Sequence, residues 1–332
     1  MNKLIIYLFT VLTIYGCGAQ QNLESHKEVL KLMGTRFEIT ATADNKSLAI
    51  ESVKKGIAEI QRIETLISSW KSTSQTSEIN RNAGIRPVVV DQELYDLIER
   101  SLKVSSLTQG AFDISFASMD RLYHFDRAEH QLPTVVVLQE AISKIDYKNI
   151  ILNRNDRSVF LKTSEMRIGF GGIGKGYAAN RAKQVMMSIE GVKGGVVNAS
   201  GDLIVWGDNG NGDAWPIQIS DPKDINKSLG SIAIKNASVV TSGDYEKYFT
   251  NNGKRYAHII NPSTGVPTTG IKSATIVCPD AELGDALATA LFVLGAEGGM
   301  ELINTLKNTE ALLITDNDEV LTSNKLIFNR QN

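Results

Sequence analysis

The chain has 332 residues, of which 42% are hydrophobic, and its 35 basic and 37 acidic residues leave a formal net charge of −2. A chain of this length and composition builds an ordinary hydrophobic core, and its interspersed charges form no basic stripe of the kind that binds nucleic acid. The proline content is low and no low-complexity tract occurs, which argues against disorder.

The amino terminus predicts export. After a short basic start, residues 4–14 form an apolar run of signal-peptide length that is too short to span a bilayer. The run ends in Ile-Tyr-Gly-Cys, which is similar to a bacterial lipobox whose cysteine, Cys17, is lipidated; a plain secretory signal is the alternative. We expect a signal peptide at residues 1–16 and a polar tether at 17–30. Cleavage would leave Cys278 as the one cysteine of the core, so no internal disulfide is expected.

Periodicity predicts helices and strands along the rest of the chain. Alternation of polar and apolar residues predicts a strand at 35–42, and apolar residues at helical spacing predict helices at 47–67 and 91–108. No further apolar run indicates a membrane span. The other predicted elements are a helix starting near Thr134, strands within 195–207, 215–220, 231–243, 255–260 and 273–277, and a helix from Asp280 to about Leu294. Without a repeat or a linker, we expect one α+β domain at residues 31–330.

Residues 168–180, IGFGGIGKGYAAN, form a glycine-rich segment that brings the backbone close to a neighbour. Lys175 and a helix beginning near Tyr177 would favour an anion there. The spacing matches neither the Walker loop nor the dinucleotide-binding fingerprint. A tight bend without a ligand is the alternative interpretation.

Asp285 and Thr289 lie four residues apart in the last predicted helix and therefore share one face of it. A carboxylate and a hydroxyl stacked in this way suit a hard cation such as Mg²⁺, which prefers oxygen ligands. The alternative is an acid favoured by the helix dipole and a threonine that bonds back to a carbonyl.

His258 belongs to the predicted strand at 255–260, where alternation places it on the side of Tyr256 and Ile260. A histidine titrates in the range needed to take a proton from a hydroxyl, although a structural, hydrogen-bonded histidine is the alternative. Trp70, in a polar loop after a helix, is a candidate stacking surface for a flat ring.

Eight ordered segments together resemble one family. They are MGTRFEIT, ISSW…S…IN, GAFDIS, GGIGKGYAAN, NASGDLIVWG, TSGDYEKYF, YAHIINPSTG and DALATALFVLG, and they extend from about Met33 to Ile314. In this order they resemble the ApbE family of FAD:protein FMN transferases, in which a lipoprotein signal is common.

The resemblance implies an α+β, T-fold-like core with flanking helices that binds FAD and Mg²⁺. Members of the family split the FAD pyrophosphate, attach FMN to a Thr or Ser hydroxyl of an acceptor protein and release AMP. Typical acceptors are Nqr- or Rnf-type membrane subunits or other flavoproteins outside the cytoplasm. The expected location is therefore the periplasmic side of a membrane, held by a lipid anchor.

The resemblance also implies roles for individual residues. His258 matches the histidine that activates the acceptor hydroxyl. The residues matched to metal ligation are Gly172, through its carbonyl, Asp285 and Thr289. The residues matched to contacts with FAD are Met33, Trp70, Ala111, Phe112, Asp113, Lys175 and Ile259.

Four positions depart from the family pattern. The family often has Asp at the positions of Gly169, Asn180 and Asn261, and Ala at that of Gly174. The glycine-rich segment therefore lacks two carboxylates that the family often has, so no binding role is assigned to Gly169 or Asn180. If an Asp at position 261 orients His258 in the family, an amide would do so less well.

Two alternatives to FMN transfer stay open at the level of sequence. The same pocket would serve a Mg²⁺-dependent FAD pyrophosphatase that uses water as the acceptor. A non-catalytic flavin-binding lipoprotein would result if the departures in the loop abolish turnover.

Overall fold

A computed structural model of the chain describes residues 23–119, 122–123, 125, 133–210, 214–244, 248–251 and 254–330. The predicted signal peptide and Cys17 lie outside the described residues.

Helices and strands alternate irregularly along the described chain. The α-helices are α1 (Lys46–Ile67), α2 (Gln75–Arg81), α3 (Gln92–Leu107), α4 (Val135–Ile142), α5 (Gly174–Met187) and α6 (Ala281–Thr305), with 3-10 helices at Ile114–Met119 and Tyr147–Asn149. The strands are β1 (Glu24–Leu32), β2 (Thr35–Ala43), β3 (Val88–Val89), β4 (Ile150–Asn153), β5 (Ser158–Leu161), β6 (Val192–Ala199), β7 (Asp202–Gly207), β8 (Trp215–Asp221), β9 (Asp224–Ile234), β10 (Ser238–Gly243), β11 (Tyr248–Asn251), β12 (Lys254–Ala257), β13 (Ile271–Cys278), β14 (Glu310–Thr315), β15 (Val320–Thr322) and β16 (Asn329–Arg330).

An antiparallel sheet in the order β1-β2-β6-β7-β10-β13-β14-β15 forms the centre of the fold. Helix α5 packs against both α1 and α6, and α1, α5 and α6 pack against β2, β6 and β13 respectively. Successive residues of a strand point to opposite faces: Val240 belongs to the core under the helices, whereas Val239 belongs to a second core shared with the small sheet β16-β9-β8. The predicted α+β class is confirmed, with the large sheet between a helical layer and a small sheet.

The long first helix forms where its apolar periodicity predicted it. The Asn45 side chain caps α1 by accepting a hydrogen bond from the Leu48 amide at 3.0 Å. Val53, Ile60 and Ile63 are fully buried along one face. The predictions for α3 and α4 are also confirmed, with Asp91 and Thr134 at their N-cap positions.

The prediction of a tether over residues 17–30 is wrong for its second half. Glu24–Leu32 is strand β1, which pairs with β2 along its whole length, so the domain begins before residue 31. The strand lies at an edge of the sheet, and only Leu32 of its residues is buried. Its polar sequence therefore lacks the apolar alternation of a buried strand, and its pairing depends on backbone hydrogen bonds that side chains do not reveal.

The last helix is longer than predicted. We expected Gly295 to end it, and the backbone does leave helical geometry there, with a φ of 75° and a ψ of 177°, but α6 resumes and ends at Thr305. By length and composition α6 is the one described helix able to span a membrane. In the fold, however, Leu287 and Leu291 are fully buried in the protein core.

Candidate functional site

The start of the glycine-rich segment is held by hydrogen bonds to its backbone from two parts of the chain. The Asn80 side chain donates to the Ile168 carbonyl at 3.0 Å and accepts from the Ile168 amide at 2.8 Å. The Gly169 amide donates to the carbonyl of Ile114, in the first 3-10 helix, at 2.9 Å. The chain therefore enters α5 from a fixed position.

Helix α5 begins at Gly174, three residues before the predicted start near Tyr177. Lys175 thus lies in the first turn. No side chain of the adjoining residue caps this helix; instead, the Gly176 amide donates to Asp285 Oδ2 at 3.0 Å. A carboxylate from α6 satisfies an amide that the helix leaves unpaired and interacts favourably with the helix dipole.

Gly176 is required because α5 and α6 cross at this point. A Cβ on Gly176 would lie 2.0 Å from the Ala281 carbonyl oxygen and 2.9 Å from Asp285 Cβ. Any other residue would push the helices apart. The glycine therefore allows the Asp285 carboxylate to reach the start of α5.

The structure brings together the residues that the resemblance matched to metal ligation. Asp285 has 2% of its side chain exposed, and Thr289, one turn later, is half-buried. A Cβ on Gly172 would lie 2.9 Å from Thr289 Oγ1, so the glycine backbone directly adjoins the hydroxyl. This oxygen set fits a hard cation that fills its remaining positions with water or ligand oxygens. Within the described residues no group of three or more His, Cys, Asp or Glu forms a fuller metal cluster.

Lys175 connects the site to a residue that sequence reasoning missed. Its ammonium pairs with the carboxylate of Asp202, at the start of β7, and lies 3.7 Å from Asp285 Oδ1. The Asp202 side chain is 1% exposed. In the sequence, Asp202 follows a Ser-Gly pair and resembles any acid in a turn, so only its burial indicates its importance.

Of the residues matched to FAD contacts, Met33 and the neighbour of Trp70 lie close to the glycine-rich segment. Met33 lies in the turn between β1 and β2, and its Cε is 3.8 Å from the position that a Cβ of Gly174 would occupy. Trp70 follows α1 and is 79% exposed, and its neighbour Ser69 has its Oγ 3.9 Å from a Cβ built on Gly169. Exposure next to the glycine-rich segment agrees with the predicted role of Trp70 as a stacking surface.

Ala111, Phe112 and Asp113 are buried. Asp113 Oδ1 accepts hydrogen bonds from the Ser115 amide and hydroxyl, at 2.8 and 2.7 Å, and Oδ2 accepts from the Tyr147 amide at 2.8 Å. Burial raises the pKa of Asp113, and these hydrogen bonds oppose the increase. The carboxylate thus fixes the start of the first 3-10 helix, and the predicted contact of this segment with FAD stays a prediction.

His258 lies just beyond a strand rather than within one. Strand β12 ends at Ala257, because the turn that starts at Asn261 draws the chain away and leaves Ile260 with an isolated bridge to Pro267. The predicted alternation nevertheless holds: Ile259 is buried like Ala257, whereas His258 is half-buried. The His258 ring meets the Phe125 ring edge-on at a centroid distance of 6.4 Å.

The turn after His258 is anchored to the first 3-10 helix and to Tyr123, which follows that helix in the chain. The Tyr123 hydroxyl donates to the Gly265 carbonyl at 2.6 Å, and burial raises the pKa of Tyr123 to about 12. Gly265 has a φ of 67°, and a Cβ there would lie 2.8 Å from Met119 Cε. Because the same 3-10 helix bonds to Gly169, it joins the region of His258 to the glycine-rich segment.

The structure explains why Asn180 departs from the family pattern, and it shows what Asn261 contacts. Asn180 Nδ2 donates to Asp280 Oδ1 at 2.8 Å, while Asn180 Oδ1 accepts from the Ala281 amide at 3.1 Å. This bridge needs an amide, because a carboxylate at position 180 would face Asp280. Asn261 Oδ1 accepts from the amide and hydroxyl of Ser263, at 2.9 and 2.7 Å, and so shapes the turn.

The other two departures concern space. A Cβ on Gly169 would lie 2.9 Å from Ala117 Cβ, and one on Gly174 would lie 2.8 Å from Ile67 Cδ1. Larger residues at these positions would require their neighbours to move.

A buried carboxylate beside a hydroxyl, a helix amino terminus and a lysine is typical of proteins that bind a phosphorylated ligand together with a divalent cation. Many families bind phosphorylated ligands with divalent cations, and similarity to known proteins identifies the family of this chain.

A family model described as the ApbE family matches residues 33–313. An FAD:protein FMN transferase of Klebsiella pneumoniae is 30% identical over 294 residues, which cover 88% of this chain and 90% of that protein. One of Treponema pallidum is 29% identical over 326 residues, covering 93% and 89%. The crystal structure of the ApbE protein of Thermotoga maritima superposes with a TM-score of 0.83 at 29% identity, covering 91% of this chain and 97% of that one. The chain belongs to the ApbE family, and the resemblance found in the sequence is confirmed.

We expect Asn180→Asp to lower the free energy of unfolding by about 1–2 kcal/mol, because it loses a hydrogen bond and sets two carboxylates against each other. The measurement is urea denaturation. The double variant Asn180→Asp/Asp280→Asn exchanges donor and acceptor and should recover most of the loss, with Asn180→Ala as the control for the lost bridge alone. If the single and double variants lose the same free energy of unfolding, the Asn180–Asp280 hydrogen bond does not join α5 to α6.

Proposed function

We propose that this chain transfers FMN from FAD to a Ser or Thr hydroxyl of an acceptor protein and releases AMP, assisted by a Mg²⁺-like cation. The observation that carries the proposal is the buried Asp285 carboxylate, which adjoins Thr289, the backbone of Gly172 and the amino terminus of α5. This arrangement of residues occurs in a chain whose relatives are named FAD:protein FMN transferases.

The arrangement suits transfer from a pyrophosphate. The amino terminus of α5 and the Lys175 ammonium both favour phosphate oxygens near the glycine-rich segment. Gly172, Asp285 and Thr289 would hold the cation, which neutralises charge on the phosphoryl oxygens during transfer. Neutralisation and positioning contribute more to this reaction than covalent participation of the protein does.

The reaction needs no further reactant, because one bond to phosphorus forms, one breaks and a base takes the proton. The acceptor oxygen forms a bond to the phosphorus of the FMN portion, and the bond from that phosphorus to the bridging oxygen breaks, so that AMP leaves. His258 takes the proton of the acceptor hydroxyl, which is a weak nucleophile until a base removes it. Water in place of the acceptor would give FMN and AMP.

The decisive experiment supplies FAD, Mg²⁺ and an acceptor fragment that carries a Ser/Thr-Gly-Ala-Thr sequence, followed by intact-mass measurement. We expect the acceptor to gain the mass of one FMN group while AMP appears in equal amount. AMP without a labelled acceptor would identify a pyrophosphatase instead. The absence of both products, with FAD retained, would identify a flavin-binding protein.

His258→Ala should slow acceptor labelling by about 10²–10⁴-fold, the usual contribution of a general base, while the Kd for FAD stays within a few-fold of the original. Labelling is followed by flavin fluorescence of the acceptor and FAD binding by calorimetry. His258→Gln, which keeps the volume but not the basicity, should behave like the alanine variant. Labelling at the normal rate in either variant would refute the role of His258 as the base.

The location, and with it the class of acceptor, is proposed from the pattern of the amino terminus. The apolar run before Cys17 supports export and lipid anchoring on the periplasmic side of a membrane, so the acceptor is an exported flavoprotein, of which Nqr- or Rnf-type subunits are examples. Labelled palmitate should enter the full-length chain in cells, and Cys17→Ser should abolish incorporation and release the protein from the membrane fraction. Equal incorporation in both would refute lipidation at Cys17.

A further inference from the structure

One lysine lies between two buried carboxylates at the start of α5. Lys175 pairs with Asp202 and lies 3.7 Å from the nearer oxygen of Asp285. The side chains of Asp202 and Asp285 are 1% and 2% exposed, and that of Lys175 is 26% exposed. Buried carboxylates need compensating cations. Both the Lys175 ammonium and a divalent cation would therefore be attracted to Asp285.

Asp202 is held more firmly than the lysine it contacts. The turn before it has positive φ values of 56° at Ser200 and 105° at Gly201. Gly201 donates to Asn198 Oδ1 at 3.0 Å and accepts from the Thr241 amide at 3.1 Å. Asp202 itself pairs with Ala199 and with β10. The lysine, by contrast, carries its charge on a flexible four-carbon side chain that can shift between nearby carboxylates.

We propose that Asp202 is a positioning residue that keeps the Lys175 ammonium away from Asp285, so that the Asp285 carboxylate is open to the divalent cation. This inference rests on the metal site proposed above. Without the charge of Asp202, the ammonium moves the short distance onto Asp285 and competes there with the cation. When Asp202 is charged, the ammonium pairs with Asp202 and the divalent cation pairs with Asp285. The ammonium then stays beside the amino terminus of α5, where phosphate binds.

The competition is measurable without catalysis, through the Kd for Mg²⁺ obtained by isothermal titration calorimetry of the flavin-free protein. Asp202→Asn, which keeps the shape of the side chain, should weaken Mg²⁺ binding by about tenfold or more, as expected for groups that interact directly. Lys175→Met should bind Mg²⁺ at least as tightly as the unchanged chain, because the competitor is gone. The double variant should return to within about threefold of Lys175→Met, which means that the two changes are strongly non-additive.

The rescue separates positioning from other roles of Asp202. If Asp202 were itself a metal ligand, or only stabilised the fold, removing the lysine would not restore binding, and the double variant would stay as weak as Asp202→Asn. That result, or unaltered Mg²⁺ affinity in Asp202→Asn, overturns the proposal. If Asp202→Asn does not fold, Lys175→Met is compared with the double variant: Mg²⁺ affinities within about threefold of each other support the proposal, and a larger difference overturns it.

A further variant separates failure of this inference from failure of the metal site. Asp285→Ala should lose measurable Mg²⁺ binding. If it binds Mg²⁺ as the unchanged chain does, the metal assignment in the proposed function is wrong. If it loses Mg²⁺ while the Asp202 and Lys175 variants show no coupling, only the role of Asp202 is wrong.

Discussion

The site depends on the close crossing of α5 and α6 at Gly176. Because Gly176 has no side chain, Asp285 approaches near enough to accept a hydrogen bond from its amide. That single contact satisfies an unpaired amide at the start of α5 and fixes the carboxylate matched to metal binding. The other groups near the proposed cation lie around these helix ends: Thr289 lies one turn further along α6, and Lys175 is the residue immediately before Gly176.

Around the crossing, the chain balances buried negative charge with several kinds of positive partner. Asp202 and Asp285 are almost fully buried, and isolated carboxylates in such a place are costly. The α5 amides, the lysine and, in our proposal, a divalent cation provide the compensation. Two buried carboxylates share one lysine, so the site still attracts positive charge. A Mg²⁺ ion suits such a place because it keeps exchangeable positions for water and ligand oxygens.

The region of His258 is built by different means. The His258 ring meets Phe125, which lies 5.6 Å from Phe249 in a cluster of aromatic rings. In that cluster Tyr123 and Phe249 stack at 6.1 Å, and Phe249 and Tyr256 stack at 5.2 Å. The turn that follows the histidine is fixed by the Tyr123 hydroxyl and by the close contact of Gly265 with Met119. The half-buried His258 lies before this turn, while Asp285, on the cation side of the site, is buried where α5 and α6 cross. In the proposed function, His258 would meet the acceptor hydroxyl and the helix ends would hold the cation and the phosphates.

The sequence by itself determined the helices that carry long apolar periodicity, the family and the pairing of Asp285 with Thr289 on one helical face. These features depend on local spacing, which the chain displays directly. It did not reveal that β1 is an edge strand, because its pairing is made by the backbone, or that His258 lies beyond its strand, because the turn at Asn261 ends the ladder. Only the tertiary structure placed Asp202 beside Lys175, which is 27 residues earlier in the chain, and explained why Asn180 is an amide. Burial and charge compensation between distant segments are properties of the packed chain, and no local pattern of residues records them.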